Sequence, residues 1–222
     1  MLVIRARDAR GEWRDGRCGL RTTCSEWSSV GMTAHTPRCL LIRHGQTAWS
    51  LSGRHTGRTD LPLLAEGEAQ SRALRPKLAH QQFTAVLTSP LLRARRTCEL
   101  AGLEDRSIID PDLCEWDYGT YDGLTTPEIW EERPGWDLFA DGAPGGETAA
   151  DVSGRVDQVI GRIRAAPGLV ACVAHAHVLR VLAARWIGLE ATGGRYFVLA
   201  PTSLSELDWE RGQPVIAGWN QT

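Results

Sequence analysis

The run "LLIRHG" sets Arg43, His44 and Gly45 directly behind three aliphatic residues. A strand that ends there delivers a cation and an imidazole to one point, and glycine lets the backbone approach whatever binds. A later apolar run, "CVAHAH", ends in His175, Ala176 and His177. Ligands of open α/β sheets bind beyond the carboxyl ends of strands, so His44 and His175 are expected in one pocket. "LTSPLLRARRTCE" adds Arg93 just inside a helix, where backbone N–H groups also favour an anion. Two arginines, two histidines and a helix end suit a small tetrahedral oxyanion. Arg95 and Arg96 are expected to be solvated charges on a helix face.

The elements that must position these groups alternate along the chain. Arg38–Ile42 reads as the first strand, followed by a Gly/Thr/Arg-rich loop over 52–63. Ala65–Leu78 reads as a helix perturbed near its end by Pro76. "TAVLTS" (84–89) is a short buried strand, and Pro90 introduces a helix over Leu91–Ala101 as an N1 proline would. "RSIID" (106–110) is another short strand. Residues 111–147, rich in Trp, Gly, Pro and Asp, are too irregular for a core and read as a lid or pocket wall. Val152, Val156, Val159, Ile160 and Ile163 give Thr148–Ala165 helical periodicity. "GLVACVAH" (168–175) is a strand, Val178–Ile187 a helix, and Tyr196–Leu199, Ser203–Trp209 and Val215–Trp219 terminal strands. This pattern predicts a three-layer α/β/α sandwich around a mostly parallel sheet.

The 222 residues are enough for one such domain. A net charge of −2 excludes a general pull toward nucleic acid or membrane. Lys77 is the only lysine, yet the arginines lack the aromatic interleaving of a nucleic-acid binder. Six cysteines show no CxxC spacing, which points to a reduced, cytoplasmic protein. No apolar run approaches the length of a membrane span. Residues 1–31 hold six arginines without helical or alternating periodicity. They read as a disordered arm or a mis-assigned start, leaving residues 32–222 as the single domain.

"LIRHGQT", "TSPLLRARRT", "LCEWDYGTYDG" and "VAHAHVLR", in this order, resemble the histidine phosphatase superfamily, which includes the cofactor-dependent phosphoglycerate mutases. The resemblance runs from about residue 38 to 219. Finer stretches, "AWSLSGRHTGRTDLPL" and "DGAPGGET" among them, are similar to bacterial broad-specificity acid phosphatases and sedoheptulose-bisphosphatase-like members. The resemblance implies that His44 is the nucleophile that takes the phosphoryl group. Arg43, Arg93 and His175 would hold the phosphate oxygens, and Glu115 would be the proton donor. Thr56 and Gly57 match the loop near the substrate, and Ser50 stands where the mutases carry asparagine. Ala176 departs from the relatives' glycine; were positive φ needed there, alanine would cost about 1 kcal/mol. Leu64 stands where a Thr or Ser usually caps the next helix, a loss of about 1 kcal/mol.

Elementary chemistry agrees with these roles. Capture by a neutral imidazole splits a very slow displacement into two steps. Arginines stabilise the charge that spreads over the equatorial oxygens. A protonated carboxyl assists the leaving alcohol and can then activate water. A metal reading, with His55, Asp60, His175 and His177 as ligands, is disfavoured because Arg43 and Arg93 would repel a cation; His177 reads as a pocket wall. No cofactor is expected. A mutase would need a longer insertion and tail to shield its intermediate, and an inactive phosphate-binding module would have lost one of the catalytic groups. The expected substrate is a small phosphorylated metabolite, sugar phosphates first. Trp130, Arg133, Trp136 and Phe139 are candidate wall residues, and Arg133 or Arg180 is a candidate for a second anionic group. Exposed terminal strands hint at a homodimer.

Overall fold

The computed structural model describes Arg5–Arg7, Trp13–Asp15 and residues 36–222. Within a unit spanning Met1–Thr33, β1 (Arg5–Arg7) pairs antiparallel with β2 (Trp13–Asp15). The remainder of the segment read as an arm lies outside the described residues.

The other unit, Ala34–Thr222, is built on six strands. They are β3 (Arg38–Arg43), β4 (Phe83–Thr88), β5 (Ser107–Ile109), β6 (Leu169–Ala174), β7 (Leu204–Glu210) and β8 (Gln213–Gln221). Their order is β5-β4-β6-β3-β7-β8, parallel from β5 to β3 and antiparallel from β3 to β8. The sheet is therefore mixed, with the parallel part carrying the site. β6 lies at its centre and is buried at every residue, which is why "LVACVA" is apolar throughout instead of alternating.

Among the described residues seven α-helices accompany it: α1 (Ala48–Ser52), α2 (Ala65–Leu78), α3 (Leu92–Leu100), α4 (Thr126–Glu132), α5 (Leu138–Asp141), α6 (Ala149–Ala165) and α7 (Ala176–Trp186). One core cluster joins Leu74 and Leu78 of α2, Cys98 of α3 and the C-cap Ala101 to Ile42, Val86, Ala171 and Val173. The other joins the buried faces of α6 and α7 to Leu41, Leu87 and Cys172. Alternate residues of each strand thus feed opposite layers, giving the α/β/α sandwich. Thr148 and Asp151 form a capping box at the start of α6, whereas Leu64 gives α2 no side-chain cap. Glu66 and Glu68 in the first turn of α2 offset part of that loss.

Three local expectations are corrected. Pro90 precedes the cap Leu91, so it stands outside α3 instead of at its first position. Residues 197–200 form no strand: Trp219 Nε1 donates to the Val198 carbonyl and Arg43 to that of Leu199, so side chains take the backbone groups a ladder would use. The region 111–147 belongs to the core as well as to the wall. Trp116, Tyr118, Ile129, Trp136 and Phe139 are all buried in the α6–α7 cluster. The indoles of Trp116 and Trp136 donate to the Glu147 and Gly142 carbonyls, which lets an irregular segment bury large side chains without orphaned polar groups.

Cys39, Cys98, Cys114 and Cys172 are free thiols. Among the described residues no helix is long and apolar enough to cross a membrane.

Candidate active site

The carboxyl ends of β3 and β6 are adjacent because Arg43 pairs in register with Ala174. The His44 amide then donates to the Ala174 carbonyl at 2.9 Å, and the His44 and His175 rings come to 5.1 Å between centroids. Here a cavity of about 300 Å³ opens, lined among others by Arg43, His44, Glu115, Tyr118, His177 and Arg180. Ser50, Thr56 and Ala176 also line it.

His44 is buried, at 4% exposure, and its Nδ1 lies 2.7 Å from the Gly45 carbonyl oxygen. A carbonyl only accepts, so Nδ1 carries the proton and Nε2 is left with the free lone pair. Burial holds the imidazole well below its ordinary pKa of 6.5, and the Arg43 and Arg93 charges lower it further. His44 is therefore a neutral, oriented imidazole at neutral pH.

Gly45 serves packing, a correction to its expected role toward the ligand. A Cβ on Gly45 would lie 2.4 Å from the Gly67 carbonyl oxygen of α2. Its N–H donates to Thr97 Oγ1 of α3 at 3.0 Å, so two helices fix the backbone that aims His44.

Arg43 donates to the Leu199 carbonyl, while its buried Nε has no partner among the described residues. Arg93 and His175 stand just behind the cavity wall, both fully buried. Arg93 Nε donates to His175 Nδ1 at 3.1 Å, and its Nη atoms donate to the carbonyls of Thr56, Gly57 and Thr59. With Nδ1 accepting, His175 Nε2 must carry the hydrogen, which it gives to Ser89 Oγ at 2.7 Å. The polar hydrogens of both residues that face this wall thus rest on protein partners. Gly57 also stays behind the wall, with its N–H on Asp122 and its Cα closely packed under Trp116 and Tyr118.

Glu115 sits at the N-terminus of α7. Its Oε1 accepts the amides of Trp116 and Val178, both at 2.9 Å, and its Oε2 accepts that of His177 at 3.1 Å. Oε2 thus accepts fewer of these bonds than Oε1. Asp117 pairs with Arg58 at 3.2 Å.

Ser50 closes a capping box with Thr47, its hydroxyl accepting the Thr47 amide at 2.8 Å. Ala176 is the first helical residue of α7 and is absent from the positive-φ positions, so alanine is unstrained there. That corrects the anticipated cost. His177 forms wall as expected, with its Nδ1 2.6 Å from the Tyr118 hydroxyl. Trp130, Arg133, Trp136 and Phe139 do not line the cavity. Trp136 and Phe139 form a layer behind it, packed against His55 and His177. Tyr118, Arg54, Arg195 and the stretch 197–199 also form wall; of these only Tyr118 carries a signal in the sequence, the "DYG" beside Glu115.

Four histidines here are kept neutral. Burial holds His44, His175 and His177 well below 6.5 and brings His55 to about 4. Between the folded value and 6.5 the unfolded chain binds more protons, so stability falls as pH drops through that window. Each histidine contributes a slope of about 1.4 kcal/mol per pH unit. Denaturant unfolding should therefore give constant stability above pH 7 and a steep loss from about 6.5 downward. Equal stability at pH 7.5 and 5 would contradict the buried neutral cluster. The ion-paired or hydrogen-bonded carboxylates of Glu68, Glu128 and Asp151 are held below their ordinary values of 4.5, 4.5 and 3.8 and titrate in a lower window.

The profile of the histidine phosphatase superfamily (branch 1) matches residues 39–222. The sedoheptulose 1,7-bisphosphatase of Saccharomyces cerevisiae is 41% identical over 193 residues, covering 71% of this chain and 70% of that one. An acid phosphatase of Mycobacterium tuberculosis is 36% identical over 187 residues, covering 82% and 91%. The solved structure of open reading frame Rv3214 from Mycobacterium tuberculosis superposes with a TM-score of 0.80 at 36% identity, over 83% of this chain and 97% of that one.

Proposed function

The chain belongs to branch 1 of the histidine phosphatase superfamily, and from that premise we propose that it hydrolyses small phosphorylated metabolites, sugar phosphates above all, through a phosphohistidine on His44. The observation that carries this reading is the fixed tautomer of His44. A neutral imidazole with its Nε2 lone pair free lines a cavity that it shares with Arg43 and Glu115.

In the first step Nε2 attacks phosphorus and the ester oxygen leaves. Arg43, with its unpartnered Nε, binds the equatorial oxygens. Arg93 adds positive field from behind the wall. His175 can join as a ligand by exchanging Ser89 Oγ for a phosphoryl oxygen at Nε2–H. Glu115 gives its proton to the leaving oxygen. In the second step Glu115 takes a proton from water, the hydroxyl attacks phosphorus, and inorganic phosphate and free His44 are restored. The names of the two relatives, a sugar bisphosphatase and an acid phosphatase, support the ester class.

Phosphate release from p-nitrophenyl phosphate and a panel of sugar and glycolytic phosphates, between pH 4 and 8, tests the reading. Release that is unaffected by EDTA is expected. Interconversion of phosphoglycerates without net release would make the protein a mutase, and silence in both assays would leave only a phosphate-binding module.

A further inference from the structure

Four arginines line the cavity: Arg43, Arg54, Arg180 and Arg195. Two of them are neutralised. Arg54 meets both carboxylate oxygens of Glu128, at 3.0 and 3.2 Å, and Arg195 lies 3.4 Å from Asp137. Arg43 is accounted for by the transferred phosphoryl group. Arg180 is left over. Its Nε and Nη2 donate to the carbonyls of Gly194 and Arg195, and its guanidinium lies 4.7 Å over the Phe139 ring. These bonds fix the plane of the group but supply no negative charge. Among the described residues no carboxylate is within ion-pair distance of it, and its Nη1 has no hydrogen-bond partner there.

Glu115 and Asp137 act on it only from beyond ion-pair distance, and a half-buried cation without a paired anion is costly unless one arrives with the ligand. Its position separates it from the reacting centre. Arg180 lies on the same face of α7 as Ala176, about 6 Å further along the axis. The charges that act on His44 are those of Arg43 and Arg93, whereas Arg180 is the foremost charge acting on His177. Arg180 thus commands the His177 side of the cavity.

We propose that Arg180 is a specificity-determining residue that binds a second anionic group of the substrate, a phosphate or a carboxylate remote from the scissile ester. This rests on the phosphatase reading, because it assigns Arg43 to the phosphoryl group that is transferred. The substrate class is then a sugar or sugar-acid phosphate with an anion at each end. The polyol between them would lie along the polar wall of His177 and Tyr118.

Calorimetric binding in a His44→Ala background reads this without turnover, using fructose 1,6-bisphosphate, 3-phosphoglycerate and glycerol 1-phosphate. With Arg180 present, at least one of the first two should bind about 10- to 100-fold tighter than glycerol 1-phosphate, the range of one charge-assisted contact. Which one it is distinguishes phosphate from carboxylate. Arg180→Met keeps the packing on Phe139 and should erase that margin while glycerol 1-phosphate binding stays within about 3-fold. Arg180→Lys should recover part of it. Equal weakening of all three ligands, or no change in any, would overturn the proposal. Hydrolysis by the unsubstituted protein is read separately. A preserved binding margin with no turnover would refute the phosphatase reading and leave the second anion site standing.

Discussion

His44→Ala is expected to lower kcat by at least about 10⁴-fold on every phosphate ester, a loss of more than about 5 kcal/mol of transition-state stabilisation. No neighbouring group can replace it. Both His175 ring nitrogens are engaged, and Glu115 is held by three backbone amides. The substitution leaves the Gly45 carbonyl without its Nδ1–H partner, at a cost of about 1 to 3 kcal/mol. It also removes one buried neutral histidine, so the variant should lose less stability on acidification than the parent. Turnover by rapid assay and unfolding by circular dichroism separate the two effects. A variant that keeps a tenth of the parent's activity would remove His44 as the nucleophile.

Glu115→Gln is the second large effect, and its readout is a ratio. A proton matters to an alkoxide leaving group and hardly to p-nitrophenolate. Alkyl phosphates should therefore lose about 10²- to 10⁴-fold in kcat/KM, with a much smaller loss on p-nitrophenyl phosphate. The absolute rates are confounded by structure. Both carboxylate oxygens accept backbone N–H groups, so a glutamine amide must turn its NH₂ toward at least one donor. That lost bond costs about 1 to 3 kcal/mol of stability and acts on both substrates alike. Equal losses on the two leaving groups would refute the proton-donor role.

Much of this architecture is legible in the amino-acid sequence because strand identity and strand ends follow from local pattern. "LLIRHG" and "CVAHAH" are short apolar runs that stop at polar groups, and their pairing brings His44 to His175. The helix over Thr148–Ala165 follows from its apolar spacing and its capping box. The antiparallel half of the sheet was less accessible, since β7 and β8 alternate weakly and the stretch before them reads like a third strand. What decides against that strand is tertiary: Arg43 and Trp219 claim its carbonyls. The division of the site into lining and supporting groups was hidden for the same reason. Arg93 stands out in the sequence by its place at a helix start, but its support of the 56–59 loop carbonyls is set by tertiary contacts. Arg180 stood out only as one candidate beside Arg133. The pairing of Arg133 with Asp141, and the lack of a carboxylate within ion-pair distance of Arg180 among the described residues, tell them apart.

The central claim is a covalent phosphoryl group on His44, and rapid acid-free quenching with a ³²P-labelled ester tests it most directly. Label that survives alkali, is released by acid and maps to the peptide containing His44 is the predicted result, with stoichiometry approaching one per chain when the second step is slower. Full turnover with no protein-bound label at any quench time, or label mapped to another residue, would contradict it.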